Sequence, residues 1–205
     1  MANVSVISYG IGNVQSVVNA LRRIGADVAI AEDGAALNAQ GSPRIVLPGV
    51  GAVGEALALL RGRGLEDALR SRVLEQRIPF LGICVGMQVL LERCTEFGEH
   101  TGFGWIPGSV TRLSPEGSGL RLPHVGWNNI SVQRPDPFIA AADGHSFYFL
   151  HSYAVECPEE FVIARAEYGR HFVAALRKDN VVAVQFHPEK SSAAGEAVLR
   201  AFLQQ

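Results

Sequence analysis

A cysteine flanked by glycines is the residue of this chain best placed to act as a nucleophile. The segment Gly82-Ile83-Cys84-Val85-Gly86 overlaps an apolar run that predicts a buried strand over Ile78–Ile83, and it precedes a predicted helix over Met87–Leu91. A strand that turns sharply into a helix would present Cys84 as a nucleophile elbow. The start of a helix favours negative charge and therefore a thiolate. Taken alone, the same pattern also fits a buried structural cysteine.

A base and a carboxylate follow a second predicted strand. Val181–Phe186 is mostly apolar, and His187-Pro188-Glu189 begins where that strand ends. Pro188 favours an extended conformation at His187, so the side chains of His187 and Glu189 are expected to project to the same side. Glu189 would hold one imidazole nitrogen and leave the other to act as a base toward a thiol. A solvated turn after a strand is the alternative for this segment alone.

A glycine-containing turn supplies the third element of the predicted site. Arg44–Leu47 predicts a strand, and Pro48-Gly49-Val50-Gly51 follows it. Catalytic groups of open α/β sheets gather at the carboxyl ends of the strands, so this turn is expected beside Cys84 and His187. Backbone amides near Gly51 and at Val85 would stabilise an oxyanion formed at Cys84. Without the other two elements, the segment fits an ordinary turn.

The rest of the pattern predicts the elements that carry these residues. A strand over Val4–Tyr9, an amphipathic helix over Val14–Ile24 and a strand over Asp27–Ala31 indicate a parallel sheet. Short alternating segments dominate between Gly108 and Ala183. We therefore predict an α/β fold with an open, mostly parallel, twisted sheet flanked by helices, and with antiparallel strand additions in the C-terminal half. Further helices are predicted over Ala52–Leu60, Leu65–Gln76 and Ala194–Leu203.

Together these segments resemble the class I glutamine amidotransferases, whose glutaminase domains carry a cysteine elbow, a His-Pro-Glu segment and a glycine-rich oxyanion strand. The resemblance runs from the first predicted strand to the last helix. Four segments are similar, more narrowly, to the glutaminase branch that serves imidazole glycerol phosphate synthase: Ser8–Asn13, Leu47–Gly51, Pro123–Asn128 and Gln185–Ser192.

The resemblance implies hydrolysis of L-glutamine to glutamate and ammonia through a cysteine thioester, with no cofactor and no metal. By resemblance, the catalytic residues are Cys84, His187 and Glu189, the oxyanion hole comprises Val50, Gly51 and Val85, and the glutamine pocket comprises Gly49, Gln88, Ser152 and Tyr153.

The resemblance also implies a second chain. The partner would be the cyclase subunit of that synthase, a β/α barrel that uses the ammonia to make imidazole glycerol phosphate and an aminoimidazole carboxamide ribotide in histidine biosynthesis. The two chains would form a heterodimer, with Asn13, Trp127 and Lys190 facing the partner. The structural alternatives for these three residues are a tight turn, a core tryptophan and a plain surface lysine. Low activity before the partner binds is a further expectation, with the Val50-Gly51 peptide as the mobile part.

Composition limits the class of protein. The 205 residues are 48% apolar and 19% charged, which favours a single domain that spans residues 1–205. A net charge of −2 does not indicate the basic surface that binds nucleic acid, and the apolar runs are too short to span a membrane. The three cysteines lack the number and spacing of a disulfide framework or a zinc ribbon. A dinucleotide site is not expected, because Gln15 stands where a third glycine should follow Gly10 and Gly12. We expect a cytoplasmic protein.

Three other functions stay open at this stage. The first is the amidotransferase subunit of another synthase, such as anthranilate synthase or the vitamin B6 pathway enzyme, although the Tyr9–Asn13 and Gly126–Asn128 segments argue against it. The second is a stand-alone cysteine amidohydrolase, which would turn over without a partner. The third is a non-catalytic regulatory subunit, which predicts the loss of a triad residue, and none is lost.

Overall fold

The structure is a computed structural model that describes residues 3–114 and 119–205. In chain order the strands are β1 Asn3–Ile7, β2 Asp27–Ala31, β3 Ile45–Gly49, β4 Phe80–Cys84, β5 Leu91–Cys94, β6 His100–Thr101, β7 Ile106–Arg112, β8 His124–Asn129, β9 Ser131–Val132, β10 Ser146–His151, β11 Tyr153–Glu156, β12 Val162–Tyr168, β13 Arg170–Lys178 and β14 Val181–Val184. The α-helices are α1 Val14–Arg23, α2 Gly34–Gln40, α3 Val53–Gly62, α4 Leu65–Leu69, α5 Val85–Gln88 and α6 Ser192–Leu203.

The central sheet is mixed and has the strand order β2-β1-β3-β4-β14-β13-β12-β9. The first five strands in this order run parallel to one another, and the last three continue the sheet with antiparallel pairing. Other strands of the second half pair outside this sheet, as a ribbon of β10 and β8 and as a sheet of β11, β7, β5 and β6. The predicted α/β class is confirmed, and part of the predicted antiparallel addition forms these separate sheets.

Three neighbouring strands end together at one edge of the central sheet. Every residue of β3, β4 and β14 is buried, as expected for parallel strands that are apolar on both faces. Burial of each large apolar side chain stabilises the fold by roughly 1.5–3 kcal/mol. The register places Gly49 opposite Cys84 and Val184 opposite Ile83. The segments that follow β3, β4 and β14 are therefore neighbours in space.

The boundaries of helix α1 follow from its local sequence. Helix α1 buries Val17, Val18 and Leu21 on one face, and its N-terminal amide at Ser16 donates to the Asn13 side chain at 3.3 Å. Asn13 is thus an N-cap, a position that favours asparagine. The prediction of a helix over Val14–Ile24 is confirmed to within one residue.

One helix prediction was wrong in extent, and a second was right in extent to within one residue but not in helix type. The helix predicted over Met87–Leu91 is only the single turn α5, and Leu91 instead begins β5, which pairs with Ile106 of β7. A short apolar run is compatible with a helix or a strand, and here pairing with a distant strand decides. The helix predicted over Leu65–Gln76 is α4 followed by a π-helix over Arg70–Glu75.

Candidate active site

Cys84 lies at a strained junction between a strand and a helix. It is the last residue of β4 and directly precedes α5. Its backbone has φ +55° and ψ −108°, a conformation that costs a non-glycine residue about 1–3 kcal/mol. A Cβ atom at Gly82 would lie 2.4 Å from the Gly86 carbonyl oxygen, and one at Gly86 would lie 1.9 Å from that of Leu47. The flanking glycines therefore permit the close backbone packing that holds the elbow.

His187 and Glu189 form a buried pair beside this elbow. The Nδ1 atom of His187 lies 2.8 Å from Oε1 of Glu189, and both side chains are 2% exposed. Because the carboxylate accepts the Nδ1 proton, Nε2 is left for a second partner. The His187 backbone amide donates to the Tyr148 carbonyl at 2.9 Å, and the Ser191 hydroxyl donates to the His187 carbonyl at 2.6 Å. These bonds fix the imidazole relative to β10.

The electrostatics of His187 favour its charged form. Burial alone would lower its pKa, but the neighbouring Cys84 and Glu189 outweigh burial and raise the pKa to about 10. The Nε2 atom is buried and makes no hydrogen bond of good geometry within the described residues, and Cys84 is the neighbour that raises the pKa of the ring most. At neutral pH this raised pKa keeps His187 in its imidazolium form beside the Cys84 sulfur.

The predicted oxyanion strand lies directly beside Cys84. Gly49 pairs with Cys84 in the sheet register, Val50 is half-buried, and Gly51 is exposed with φ +93°. A Cβ atom at Gly49 would lie 2.4 Å from the Tyr9 hydroxyl oxygen and 2.8 Å from Cβ of Val85. The absence of a side chain at Gly49 thus lets this strand approach the residue that follows the nucleophile.

A small cavity, of about 40 Å³, joins six of the predicted site residues, while His187 and Glu189 do not line it. Its lining includes Gly51, Cys84, Val85, Gln88, Ser152 and Tyr153. Gln88 uses both of its side-chain N–H groups inside the protein, donating at 3.0 Å to the Tyr153 carbonyl and at 3.0 Å to Oε1 of Gln185. Its remaining oxygen is an acceptor, which suits the α-ammonium group of an amino acid.

The described residues contain neither a metal-binding cluster nor a disulfide. Among them, no group of three or more His, Cys, Asp or Glu side chains is arranged to hold a metal ion. Cys84, Cys94 and Cys157 are all free. In the same part of the chain, no helix is long and apolar enough to cross a membrane.

Comparison with known proteins identifies the family. The model of the family described as "Glutamine amidotransferase class-I" matches residues 5–205. The chain belongs to the class I glutamine amidotransferase family. A relative from Campylobacter jejuni subsp. jejuni (strain 81-176), named "Imidazole glycerol phosphate synthase subunit HisH 1", is 44% identical over 97% of this amidotransferase and 98% of its own length. A relative from Methanothermobacter thermautotrophicus, named "Imidazole glycerol phosphate synthase subunit HisH", is 43% identical over 98% of both chains.

Solved structures agree with this fold. One described as "Crystal structure of glutamine amidotransferase" superposes with a TM-score of 0.76 at 23% identity, covering 98% of this chain and 97% of its own. "Structure of PurLQS from Thermotoga maritima" superposes with a TM-score of 0.74 at 18% identity, covering 99% of this chain and 98% of its own. At these identities the likeness concerns the fold alone.

Among the predicted partner-facing residues of the amidotransferase, Asn13 and Trp127 are exposed and Lys190 is half-buried. Trp127 and Lys190 contact the same tyrosine. The Trp127 side chain is 54% exposed and packs edge-on against Tyr148, with 6.3 Å between ring centroids. Nζ of Lys190 lies 5.4 Å from the centroid of the same Tyr148 ring. Tyr148 is 6.5 Å from the His187 ring, so this surface adjoins the triad. Asn13 is exposed at the start of α1, where it caps the helix.

Sequence reasoning missed four residues of this region. Tyr148 joins Trp127 to Lys190, and its role depends on the pairing of β10 with β8. Glu96 lines the cavity and accepts a hydrogen bond from the Val53 amide at 2.8 Å. The others are Tyr9, whose buried hydroxyl has no partner in the described residues, and Gln185. Tyr9 and Gln185 lie within segments that the sequence analysis singled out, but neither was assigned a role there.

Proposed function

We propose that this amidotransferase is the glutaminase subunit of an imidazole glycerol phosphate synthase and releases ammonia from L-glutamine through a thioester on Cys84. The observation that carries the chemistry is the buried His187-Glu189 pair beside the strained Cys84 elbow. The choice of synthase is supported by relatives that are 43–44% identical over nearly their whole length and carry that subunit's name.

The first half of the reaction forms the thioester. The Cys84 thiolate attacks the side-chain carboxamide carbon of glutamine, and the carbonyl electrons move onto oxygen. Backbone amides at Val85 and near Gly51 stabilise that oxyanion. When the intermediate collapses, the C–N bond breaks and the His187 imidazolium gives its proton to the nitrogen, so ammonia leaves. The enzyme then holds a γ-glutamyl thioester and a neutral His187.

The second half restores the enzyme. Neutral His187, oriented by Glu189, takes a proton from water, and the resulting hydroxide attacks the thioester carbon. The C–S bond breaks, glutamate leaves, and the Cys84 thiolate again faces the His187 imidazolium. No cofactor takes part in either half.

The partner in this proposal is a cyclase subunit with a β/α-barrel fold, bound as a heterodimer. Support comes from the exposed face of β8, where Val125 is 53% and Trp127 is 54% exposed. Residues two apart on a strand share a face, so these two side chains form one apolar patch beside the triad. An exposed apolar patch is typical of the core of a protein–protein interface. A cytoplasmic location is part of the proposal, since a reducing compartment keeps the Cys84 thiol available.

One experiment tests this function. The chain is mixed with a cyclase subunit, the cyclase ligand and L-glutamine, and the rate of glutamate release is measured. We expect stimulation by the cyclase, loss of release in Cys84→Ala, and no loss in the matched variant Cys157→Ala. Equal turnover with and without the cyclase would instead favour a stand-alone amidohydrolase. Equal release by Cys84→Ala would contradict the thioester mechanism.

A further inference from the structure

Gln185 lies between the nucleophile and the glutamine pocket. It directly follows β14, two residues before His187, and it is fully buried. Its backbone amide donates to the Ala174 carbonyl at 2.9 Å, which holds the residue against β13. On one side its side chain reaches Cys84, with Nε2 at 3.5 Å from Sγ, and on the other it reaches Gln88 at 3.0 Å.

The surrounding hydrogen bonds determine which end of the Gln185 amide faces the sulfur. The Tyr153 carbonyl can only accept, so the group of Gln88 that lies 3.0 Å from it must be the amide nitrogen. The same nitrogen lies 3.0 Å from the Gln185 side chain, which must therefore present its oxygen to Gln88. Nε2 of Gln185 is then directed at Cys84 and can only donate.

A donor at this position suits an anionic sulfur. Cys84 is 4% exposed, so water cannot solvate its thiolate freely, and the Leu150 carbonyl at 3.8 Å offers no donor. Hydrogen bonds to a charged acceptor are stronger than those to a neutral one, and the thiolate is the nucleophilic form. An amide held between Cys84 and Gln88 thus favours the reactive state and links it to the substrate pocket.

We propose that Gln185 is a further catalytic residue of the glutaminase site: its side-chain amide donates a hydrogen bond to the Cys84 thiolate and holds Gln88 in place for glutamine. This proposal rests on the proposed function and deepens it. In this proposal, Nε2 of Gln185 activates the nucleophile, and Oε1 of Gln185 holds the Gln88 side chain in the glutamine pocket.

Alkylation of Cys84 tests the donor role without any need for turnover. Gln185→Met keeps the length of the side chain and removes both its donor and its acceptor. The rate of reaction with iodoacetamide is followed site by site by mass spectrometry from pH 5 to 10, with Cys94 and Cys157 as internal references. We expect Cys84 to react roughly 10- to 100-fold more slowly at pH 7 in the variant, with the profile displaced to higher pH.

The matched control is Gln40→Met. Gln40 also forms two side-chain hydrogen bonds, with Ser5 at 2.6 Å and with the Ile30 carbonyl at 2.7 Å, but it ends α2 and takes no part in the site. We expect unchanged Cys84 reactivity in this variant. Equal reactivity of Cys84 in folded Gln185→Met and in the unmodified chain would overturn the proposal.

A second measurement keeps the proposal testable if Gln185→Met fails to fold. In the ¹⁵N-labelled chain, the side-chain amide signals of Gln185 are followed by NMR while Cys84 is alkylated. Loss of the anionic acceptor is expected to shift these signals, and unmoved signals would contradict the hydrogen bond. Both readouts are independent of glutamine, so they can fail while glutamate release by the cyclase complex succeeds, or the reverse. In that complex, Gln185→Met is expected to lower kcat as well as raise KM.

Discussion

Two buried histidine clusters in this amidotransferase have opposite electrostatics. His187, beside Cys84 and Glu189, has its pKa raised to about 10. Burial lowers the pKa of His124 to about 4 and, together with the nearby imidazoles of His124 and His187, lowers that of His151 to about 3. All three side chains are almost inaccessible to solvent. Burial thus lowers the pKa of all three imidazoles, and at His187 alone among them do the neighbouring Cys84 and Glu189 outweigh it.

Hydrogen bonds fix the tautomers of the neutral pair His124 and His151. Nδ1 of His151 donates to the Tyr153 carbonyl at 2.9 Å, so its Nε2 accepts from Nδ1 of His124 at 3.1 Å. Aromatic rings surround His124, including Tyr168 with 4.1 Å between centroids. No carboxylate appears among these contacts, in contrast to His187. The neutral pair shapes the wall of the cavity at His151, while the proposed mechanism assigns proton transfer to the charged His187.

The largest expected effect comes from making His187 resemble the neutral pair. Glu189→Gln removes the carboxylate, lowers the pKa of His187 and allows the wrong tautomer. We expect glutamate release by the cyclase complex to fall roughly 10²- to 10⁴-fold. The matched control is Glu196→Gln, since Glu196 pairs with Arg23 at the surface. A loss in Glu189→Gln no larger than in this control would show that the carboxylate has no catalytic role.

A smaller effect is expected when His151 of the neutral pair is replaced, on the free energy of unfolding in acid. The folded pKa of His151, about 3, lies below its unfolded value near 6.5, so the unfolded chain binds more protons as the pH falls. Between pH 6.5 and 4.5 this group should remove roughly 2–3 kcal/mol from the free energy of unfolding. Urea unfolding at both pH values should show a weaker acid loss in His151→Gln than in the control His171→Gln, whose histidine is exposed. Identical losses would contradict a neutral His151.

The smallest effect concerns the exposed side of the triad. Trp127→Ala should weaken binding of the cyclase about tenfold or more, because exposed aromatic residues often dominate interfaces. The free energy of unfolding should change little, since the side chain is 54% exposed. The control is Ile30→Ala, since Ile30 is 40% exposed on β2, an edge strand of the central sheet that does not include β8. Titration calorimetry measures the affinity of each variant for the cyclase. Equal affinity of Trp127→Ala and Ile30→Ala would exclude the exposed face of β8 from the interface.

Local sequence was sufficient for the features that depend on neighbouring residues. The elbow needs glycines on both sides of Cys84, and His187 and Glu189 are only two residues apart, so each was predictable as a unit. The α/β class followed from apolar strands that alternate with helices. The structure brings these predicted groups to one sheet edge, through the register of β3, β4 and β14.

Features that depend on distant pairing were not predictable. Tyr148 reaches Trp127 because β10 pairs with β8, and Gln185 reaches Cys84 because β14 lies beside β4. The apolar run after Gln88 has no periodicity that distinguishes a helix from a strand, so the start of β5 at Leu91 was missed. Helix α2 was also missed, although Asp33 caps it by accepting from the Ala36 amide at 2.7 Å.

Titration of the His187 ring tests most directly whether Cys84 and His187 form a thiolate-imidazolium pair. In the ¹⁵N-labelled chain, the ring nitrogens are followed by NMR from pH 5 to 11, in the unmodified protein and in Cys84→Ala. We predict that His187 stays protonated well above pH 7, with a pKa near 10, and that the pKa falls when the Cys84 sulfur is removed. A pKa at or below the ordinary value near 6.5 in the unmodified protein would contradict the account.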